Sequence, residues 1–152
     1  WLSISATTRK PRIGEKDGEN YYFLSEKMFK EMIDKKQFLE WAQFAGNFYG
    51  TPLFTVNEKI KKGFIVFLEI EVEGANQIKE KFPEALSIFI LPPDKDELER
   101  RIRNRGTEGE EAINRRLSRA NYEIAFSEKF DFVVTNYDVD KTVDKIVEII
   151  NF

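Results

Sequence analysis

A chain of 152 residues is long enough for one domain with a real core and too short for two independent ones. The net charge of −3 excludes a domain-wide basic field for nucleic acid, and apolar and charged shares of 41% and 34% are those of an ordinary water-exposed domain. Cysteine and histidine are both absent, which excludes disulfides, thiolate nucleophiles, zinc sites and an imidazole base.

In chain order, WLSIS at 1–5 predicts a strand that enters a polar loop, TTRKPRIGEKDGEN. YYFL at 21–24 predicts a second short strand. Ser25 suits the N-cap of a helix with Met28, Phe29, Met32 and Ile33 on its apolar face. FLEWAQF at 38–44 predicts a strand closed by the turn residues Gly46 and Asn47, and a helix through Val56 and Ile60 ends at Gly63. Residues 64–68 form a continuous apolar run, the pattern of a strand buried on both faces.

EIEVEG then leads into a helix carrying Ala75, Ile78 and Phe82, which Pro83 stops. ALSIFI at 85–90 predicts a second buried strand, and strand–helix–strand at this spacing predicts a parallel α/β sheet. Asp94 and Glu97 predict a capping box for a helix through Leu98 and Ile102, broken at Gly106. Thr107 with Glu110 starts the next helix, which carries Ile113, Leu117 and Ala120. FDFVVT at 130–135 predicts a third buried strand, and the last helix carries Val143, Ile146, Val147 and Ile150. No apolar run approaches the roughly 18 residues of a membrane span.

The residues left for chemistry are carboxylates, arginines, lysines and hydroxyls. Phosphoryl transfer suits them, because positioning and charge neutralisation do most of its work. Four groups stand out. TTRKPR, with Glu15, Tyr21 and Tyr22 beyond it, offers planar guanidinium forks matched to phosphate oxygens, although spacing alone favours a solvated basic loop. FLEWAQFAGNFYGT sets Glu40, Tyr49 and Thr51 among aromatics, as a plain hairpin with core aromatics also would. In EIEVEG, Glu69, Glu71 and Glu73 alternate, which predicts carboxylates on one face at a strand's C-terminal end, where open α/β sheets bind ligands; an exposed strand end is the alternative. Arg100, Arg101, Arg103, Arg105, Arg115, Arg116 and Arg119 flank Gly106 and suit either a phosphate-reaching lid or surface ion pairs with Glu108, Glu110 and Glu111.

Together the strings SATTRKPRIGE, DGENYYF, FLEWAQFAGNFYGT, EIEVEGA, FILPP, RGTEGEEAINRRL and VVTN resemble the guanylate kinase family across essentially the whole chain. The resemblance implies an α/β domain over 1–152: a P-loop-kinase-like parallel sheet core flanked by helices, a mixed α/β GMP-binding insert and a helical lid. The insert falls at about 5–62, the core at 63–99 and 119–152, and the lid at 100–118. It implies phosphorylation of GMP to GDP by ATP with Mg2+, in the cytoplasm, with no nucleic-acid or membrane partner, and it leaves the oligomeric state open.

Position by position, the resemblance implies that Arg9, Arg12, Tyr21 and Tyr49 hold the GMP phosphate and that Glu15 braces the arginines. Ser5, Glu40, Thr51 and Glu71 would read the guanine, whose Watson–Crick edge offers N–H donors to carboxylates and O6 to a hydroxyl. Arg101, Arg105 and Arg116 would close, with Arg9, on the transferring phosphoryl group. Arg105 and Asn136 would contact ATP, Asn136 beside the adenine, and Glu69 would meet magnesium through water.

The chain departs from the family pattern in three places. Glu69 and Glu71 stand where aspartates are common, and Thr51 stands where serine is common. No strand–GxxxxGK(S/T)–helix unit is present, so roughly 30 residues are expected ahead of Trp1, and the chain by itself is expected to be an inactive kinase. A non-catalytic guanylate-kinase-like module that binds partner proteins is the alternative, and an arginine-based nucleic-acid binder is a third reading.

Overall fold

The computed structural model describes residues 1–104 and 109–151. The chain packs as two compact units, Trp1–Ala85 and Leu86–Phe152.

The first unit is built on a four-stranded mixed sheet in the order β2 (Tyr22–Phe23), β1 (Ala6–Thr7), β4 (Asn47–Pro52), β3 (Phe38–Phe44). β1 runs parallel to β2 and antiparallel to β4, and β4 is antiparallel to β3. The β3–β4 hairpin turns on Ala45 and Gly46, at φ 48° and 80°. Two left-handed residues give the primed turn whose twist matches the flanking strands.

Helix α1 (Glu26–Asp34) covers one face of this sheet. Ser25 caps it, its hydroxyl accepting from the Met28 amide at 3.2 Å. The buried Phe29 stacks on Phe38 at 4.3 Å and on Phe48 at 5.4 Å, with Met32 and Ile33 beside it. Met28, expected on this face, is half-exposed at its rim. On the other face Leu39 packs with Val56 of α2 (Leu53–Lys61) and Ile78 of α3 (Val72–Lys81). α2 ends as predicted. Gly63 takes φ 80°, its amide reaches Ile60 O, and the Phe64 amide reaches Lys59 O, the two bonds of a Schellman motif.

Residues 64–68 depart from the expectation. They form no strand of a ladder but an extended segment with a single parallel bridge, Leu2 to Phe67, and Phe64, Ile65 and Phe67 are exposed. One bridge between two segments, through Ser3 N to Phe67 O and Phe67 N to Trp1 O, builds no ladder. The strand expected at 1–5 is reduced to the same bridge, and the regular strand begins at Ala6. Phe82, expected on the face of α3, lies beyond its end and is exposed, because the residue before a proline leaves the helical region.

The second unit pairs β5 (Ile88–Leu91) with β6 (Phe132–Thr135) in parallel, in the register Ile88 to Phe132 through Leu91 to Thr135. Asp131 fixes that register by accepting from both the amide and the hydroxyl of Ser87 at 2.8 Å. Burial is less than predicted. Val134 is buried, whereas Ile90, Phe132 and Val133 are exposed. Helices α4 (Lys95–Asn104), α5 (Glu110–Ile124) and α6 (Val139–Ile150) complete the unit, with a 3-10 turn at Ser127–Lys129.

Asp94 caps α4 by accepting from the Glu97 amide at 2.8 Å, but Glu97 turns to arginines instead of closing the box. α5 takes Gly109 as its N-cap; the expected start at Thr107 and break at Gly106 lie outside the described residues. In α6 the buried position is Thr142, and Val143 and Val147 face outward. Among the described residues no helix is long and apolar enough to cross a membrane.

Candidate functional site

The basic loop springs from β1, whose two residues are wholly buried. Thr7 and Thr8 stitch it to β4. The Thr7 hydroxyl donates to Phe48 O at 3.0 Å and accepts from the Arg9 amide at 3.2 Å. The Thr8 amide donates to Phe48 O at 3.1 Å, and its hydroxyl accepts from the Phe48 amide at 2.9 Å. Sequence reasoning gave these threonines no role. The signal was there: two β-branched hydroxyl residues between a strand and a basic loop.

Arg9 leaves this frame already oriented. Its Nη1 and Nη2 donate to Glu15 Oε2 and Oε1, both at 2.9 Å, and Nη1 also donates to Lys10 O at 2.7 Å. The guanidinium lies 5.3 Å from the centre of the Tyr21 ring and 5.8 Å from that of Phe23. Glu15 Oε2 also accepts from the Arg12 amide at 2.7 Å, while the Arg12 side chain is exposed. The bidentate bond from Arg9, with the Arg12 amide, holds the Glu15 carboxyl down to about 2. The same bond raises Arg9, against the effect of burial.

Tyr21 and Tyr49 meet edge to face at 6.2 Å, so the two predicted tyrosines and Arg9 form one group. Burial pushes the Tyr21 hydroxyl upward, and the negative charge of Glu69 adds to that push. Ser5 is half-buried, and its carbonyl accepts from the Tyr22 amide at 2.9 Å. The structure thus gathers one guanidinium, two phenols and a bracing carboxylate, with the Arg12 backbone tied to the same carboxylate. Such a set is able to neutralise and orient a phosphate.

Glu40 lies in the hairpin. It pairs directly across the ladder with Thr51, is only 3% exposed, and accepts from the Thr51 hydroxyl at 2.6 Å. Burial pushes its carboxyl upward; the Thr51 hydrogen bonds and the Lys81 charge oppose that push. Glu71 is the half-buried N-cap residue of α3. The alternation expected of Glu69, Glu71 and Glu73 is therefore broken, because the helix starts at Val72 and Glu73 lies in its first turn.

In the second unit Arg101 donates from Nε to Glu97 Oε1 at 2.6 Å and from Nη2 to Asn136 O at 3.0 Å. The Asn136 amide donates to Leu91 O at 2.7 Å, and its buried Oδ1 has no partner. Arg116 is half-buried on α5. The ion-pair reading holds for Arg100 with Glu97, Arg103 with Glu99 and Glu110, Arg115 with Glu111, and Arg119 with Glu123. Arg105 and Glu108 lie outside the described residues. Among the described residues no cluster of three or more acidic side chains could cage a metal ion. Glu69 is exposed.

The family model described as guanylate kinase matches residues 1–152. The chain is 78% identical over 150 residues to a guanylate kinase of Prochlorococcus marinus subsp. pastoris, covering 99% of this chain and 82% of that relative. It is 50% identical over 148 residues to a guanylate kinase of Desulfitobacterium hafniense, covering 97% and 74%. The crystal structure of guanylate kinase from Anaplasma phagocytophilum matches it with a TM-score of 0.86 at 36% identity, over 99% of this chain and 74% of that one. That match accords with an α/β, P-loop-kinase-like fold. These matches do not support the expectations of a missing N-terminal unit and of an inactive chain.

Proposed function

We propose, from the premise that this chain belongs to the guanylate kinase family, that the unit Trp1–Ala85 holds GMP through the residues described above. The activity of the family is that of an ATP:GMP phosphotransferase, and this chain is a nucleoside monophosphate kinase of that kind. The GMP-binding insert corresponds to about 5–62, the core to 63–99 and 119–152, and the lid to 100–118.

In this reading Arg9 and Arg12 meet the GMP phosphate, with the Tyr21 and Tyr49 hydroxyls as further donors. Glu15 keeps Arg9 from collapsing onto other acceptors, so little reorganisation is needed when phosphate arrives. Glu40 and Glu71 accept the N1 and N2 hydrogens of guanine, and Ser5 and Thr51 complete the base site. Adenine carries an acceptor at N1 and would face a carboxylate, a repulsive contact.

Arg101, Arg105 and Arg116 supply positive charge to the phosphoryl group as it moves from ATP to the GMP phosphate, together with Arg9. The orphaned Asn136 Oδ1 is an acceptor able to take an adenine N–H, and Arg101 holds the backbone of Asn136 in place. Magnesium enters as part of the substrate MgATP, and Glu69 is the carboxylate proposed to contact its water shell.

The Glu40–Thr51 pair carries this reading. A carboxylate buried to this degree needs donors, and guanine supplies two. With the braced Arg9–Glu15 pair in the same unit, it favours a nucleotide-binding enzyme over a partner-binding module. The test is an assay of ATP consumption with GMP and with AMP as the acceptor, on the parent and on Glu40→Gln. Turnover of GMP over AMP that collapses in the variant is expected; equal use of both nucleotides, or an unaffected variant, would reject the reading.

A further inference from the structure

Helix α3 touches three consecutive residues of β3. Lys81 Nζ donates to Leu39 O at 2.6 Å. The Gln77 amide pairs with the Trp41 backbone in both directions, accepting from its N–H at 3.2 Å and donating to its C=O at 2.7 Å. Between them, Gly74 lies so close to the Glu40 carboxylate that a Cβ would stand 2.3 Å from Oε2 and 3.0 Å from Cδ.

The β3–β4 ladder slips between Phe38 and Glu40, which makes Leu39 the extra residue of a β-bulge. A plain strand alternates its faces, yet Phe38, Leu39 and Glu40 are buried in succession. Phe38 packs with Phe29 of α1, Leu39 packs with Ile78 of α3, and the bulge re-aims Glu40 onto Gly74 of α3. A bulge leaves backbone groups without ladder partners, and such groups drift unless something holds them. Lys81 and Gln77 hold the residues on both sides of Glu40.

The same helix takes Glu71 as its N-cap. One rigid element of ten residues thus has one carboxylate at its start and seats another against its third residue. We propose that Gln77 and Gly74 are positioning residues for guanine recognition, which fix the spacing between the Glu40 and Glu71 carboxylates so that both reach the N–H edge of the base. The proposal rests on the assignment of Glu40 and Glu71 to guanine made above. It explains why a glycine stands in the first turn of a helix, where it costs conformational freedom: any other residue would displace the carboxylate.

The test is calorimetric titration of the full chain with GMP and with IMP, which lacks the 2-amino group, for the parent and for Gln77→Leu, Gly74→Ala and Glu40→Gln. Gln77→Leu keeps the bulk and removes the backbone pairing. It is expected to raise the GMP Kd by about tenfold, the scale of one charged hydrogen bond lost or misaligned, and to leave the IMP Kd almost unchanged. Gly74→Ala is expected to do the same; should it not fold, Gln77→Leu decides alone. Thermal melting adds a second readout, since the destabilisation by Gly74→Ala should vanish in a Glu40→Ala background if the two groups collide.

Equal weakening of GMP and IMP by Gln77→Leu, or a lower melting temperature with GMP preference intact, would overturn the inference and leave α3 a merely structural support. Failure of the underlying assignment is distinguishable. In that case the parent would not prefer GMP to IMP, or Glu40→Gln would keep the preference.

Discussion

Arg9 and Glu15 meet through two parallel hydrogen bonds of 2.9 Å, and the carboxylate oxygen that serves Arg9 Nη1 also accepts the Arg12 amide at 2.7 Å. One carboxylate therefore sets both the guanidinium of the first arginine and the backbone of the second. Glu15→Ala should raise the KM for GMP by about tenfold, the cost of a charge-assisted bond, with a smaller effect on kcat. Steady-state kinetics checks it; an unchanged KM would remove Glu15 from phosphate binding.

The pH dependence of the two key carboxylates should run in opposite directions. Glu15 is depressed from 4.5 to about 2, so its contribution to stability is complete above about 4.5 and is lost as pH falls toward 2. Glu40 is raised above 4.5 by burial, so its charged form is disfavoured in the folded chain, and the stability tied to it falls as pH rises through its folded value. On acidification GMP affinity should therefore fail first, when Glu40 takes its proton, while the Arg9–Glu15 pair is intact. Carboxyl carbon titration by NMR, with GMP Kd measured across the same range, gives the order directly. Glu15 protonating before Glu40 would contradict it.

Replacing Glu71 with Gln removes one charged acceptor from the proposed base site and should weaken GMP binding by about 1–3 kcal/mol, with AMP still poor. Calorimetry on the folded variant decides. Unweakened binding would mean that Glu71 does not read the base.

Arg101→Ala and Arg116→Ala should depress kcat much more than GMP affinity, because their charge is proposed to act on the transferring group. For Arg101 a second effect is expected, since its bond to Asn136 O is lost, and the KM for ATP should rise. Losses confined to the GMP KM would reassign both residues to uniform substrate binding.

Phe29 is fully buried and stacks on both Phe38 and Phe48, so Phe29→Ala should cost about 3–5 kcal/mol of stability by denaturant unfolding. The same ring packs behind the strand that carries Glu40, and residual GMP binding in the folded fraction should weaken as well.

What the sequence made legible was local. The Ser25 cap, the strand at 38–44, the Gly63 terminus and the stop at Pro83 follow from adjacent residues, and the structure has each of them. What it hid was pairing. The run at 64–68 has the apolar pattern of a buried strand, and nothing in the pattern tells that its one bridge is to Leu2. β1 went unseen because an alanine and a threonine supply no alternation, and its two residues are a strand only through their pairing with β2 and β4. Glu40 was named by resemblance, but its burial depends on a bulge and on a helix more than 30 residues away in sequence. The Arg9–Glu15 brace was named the same way, while its bidentate geometry was not.

β3 is the outermost strand of its sheet, and an outermost strand offers its open backbone as a template for another chain. At Trp41 the Gln77 amide occupies both backbone groups, and at Leu39 Lys81 occupies the carbonyl. Those side chains stand where the next strand of a growing fibril would have to bind. A helix that arranges a recognition site from one side thus protects the chain against self-association from the other, and variants that strip α3 of its amide should be watched for turbidity as closely as for lost affinity.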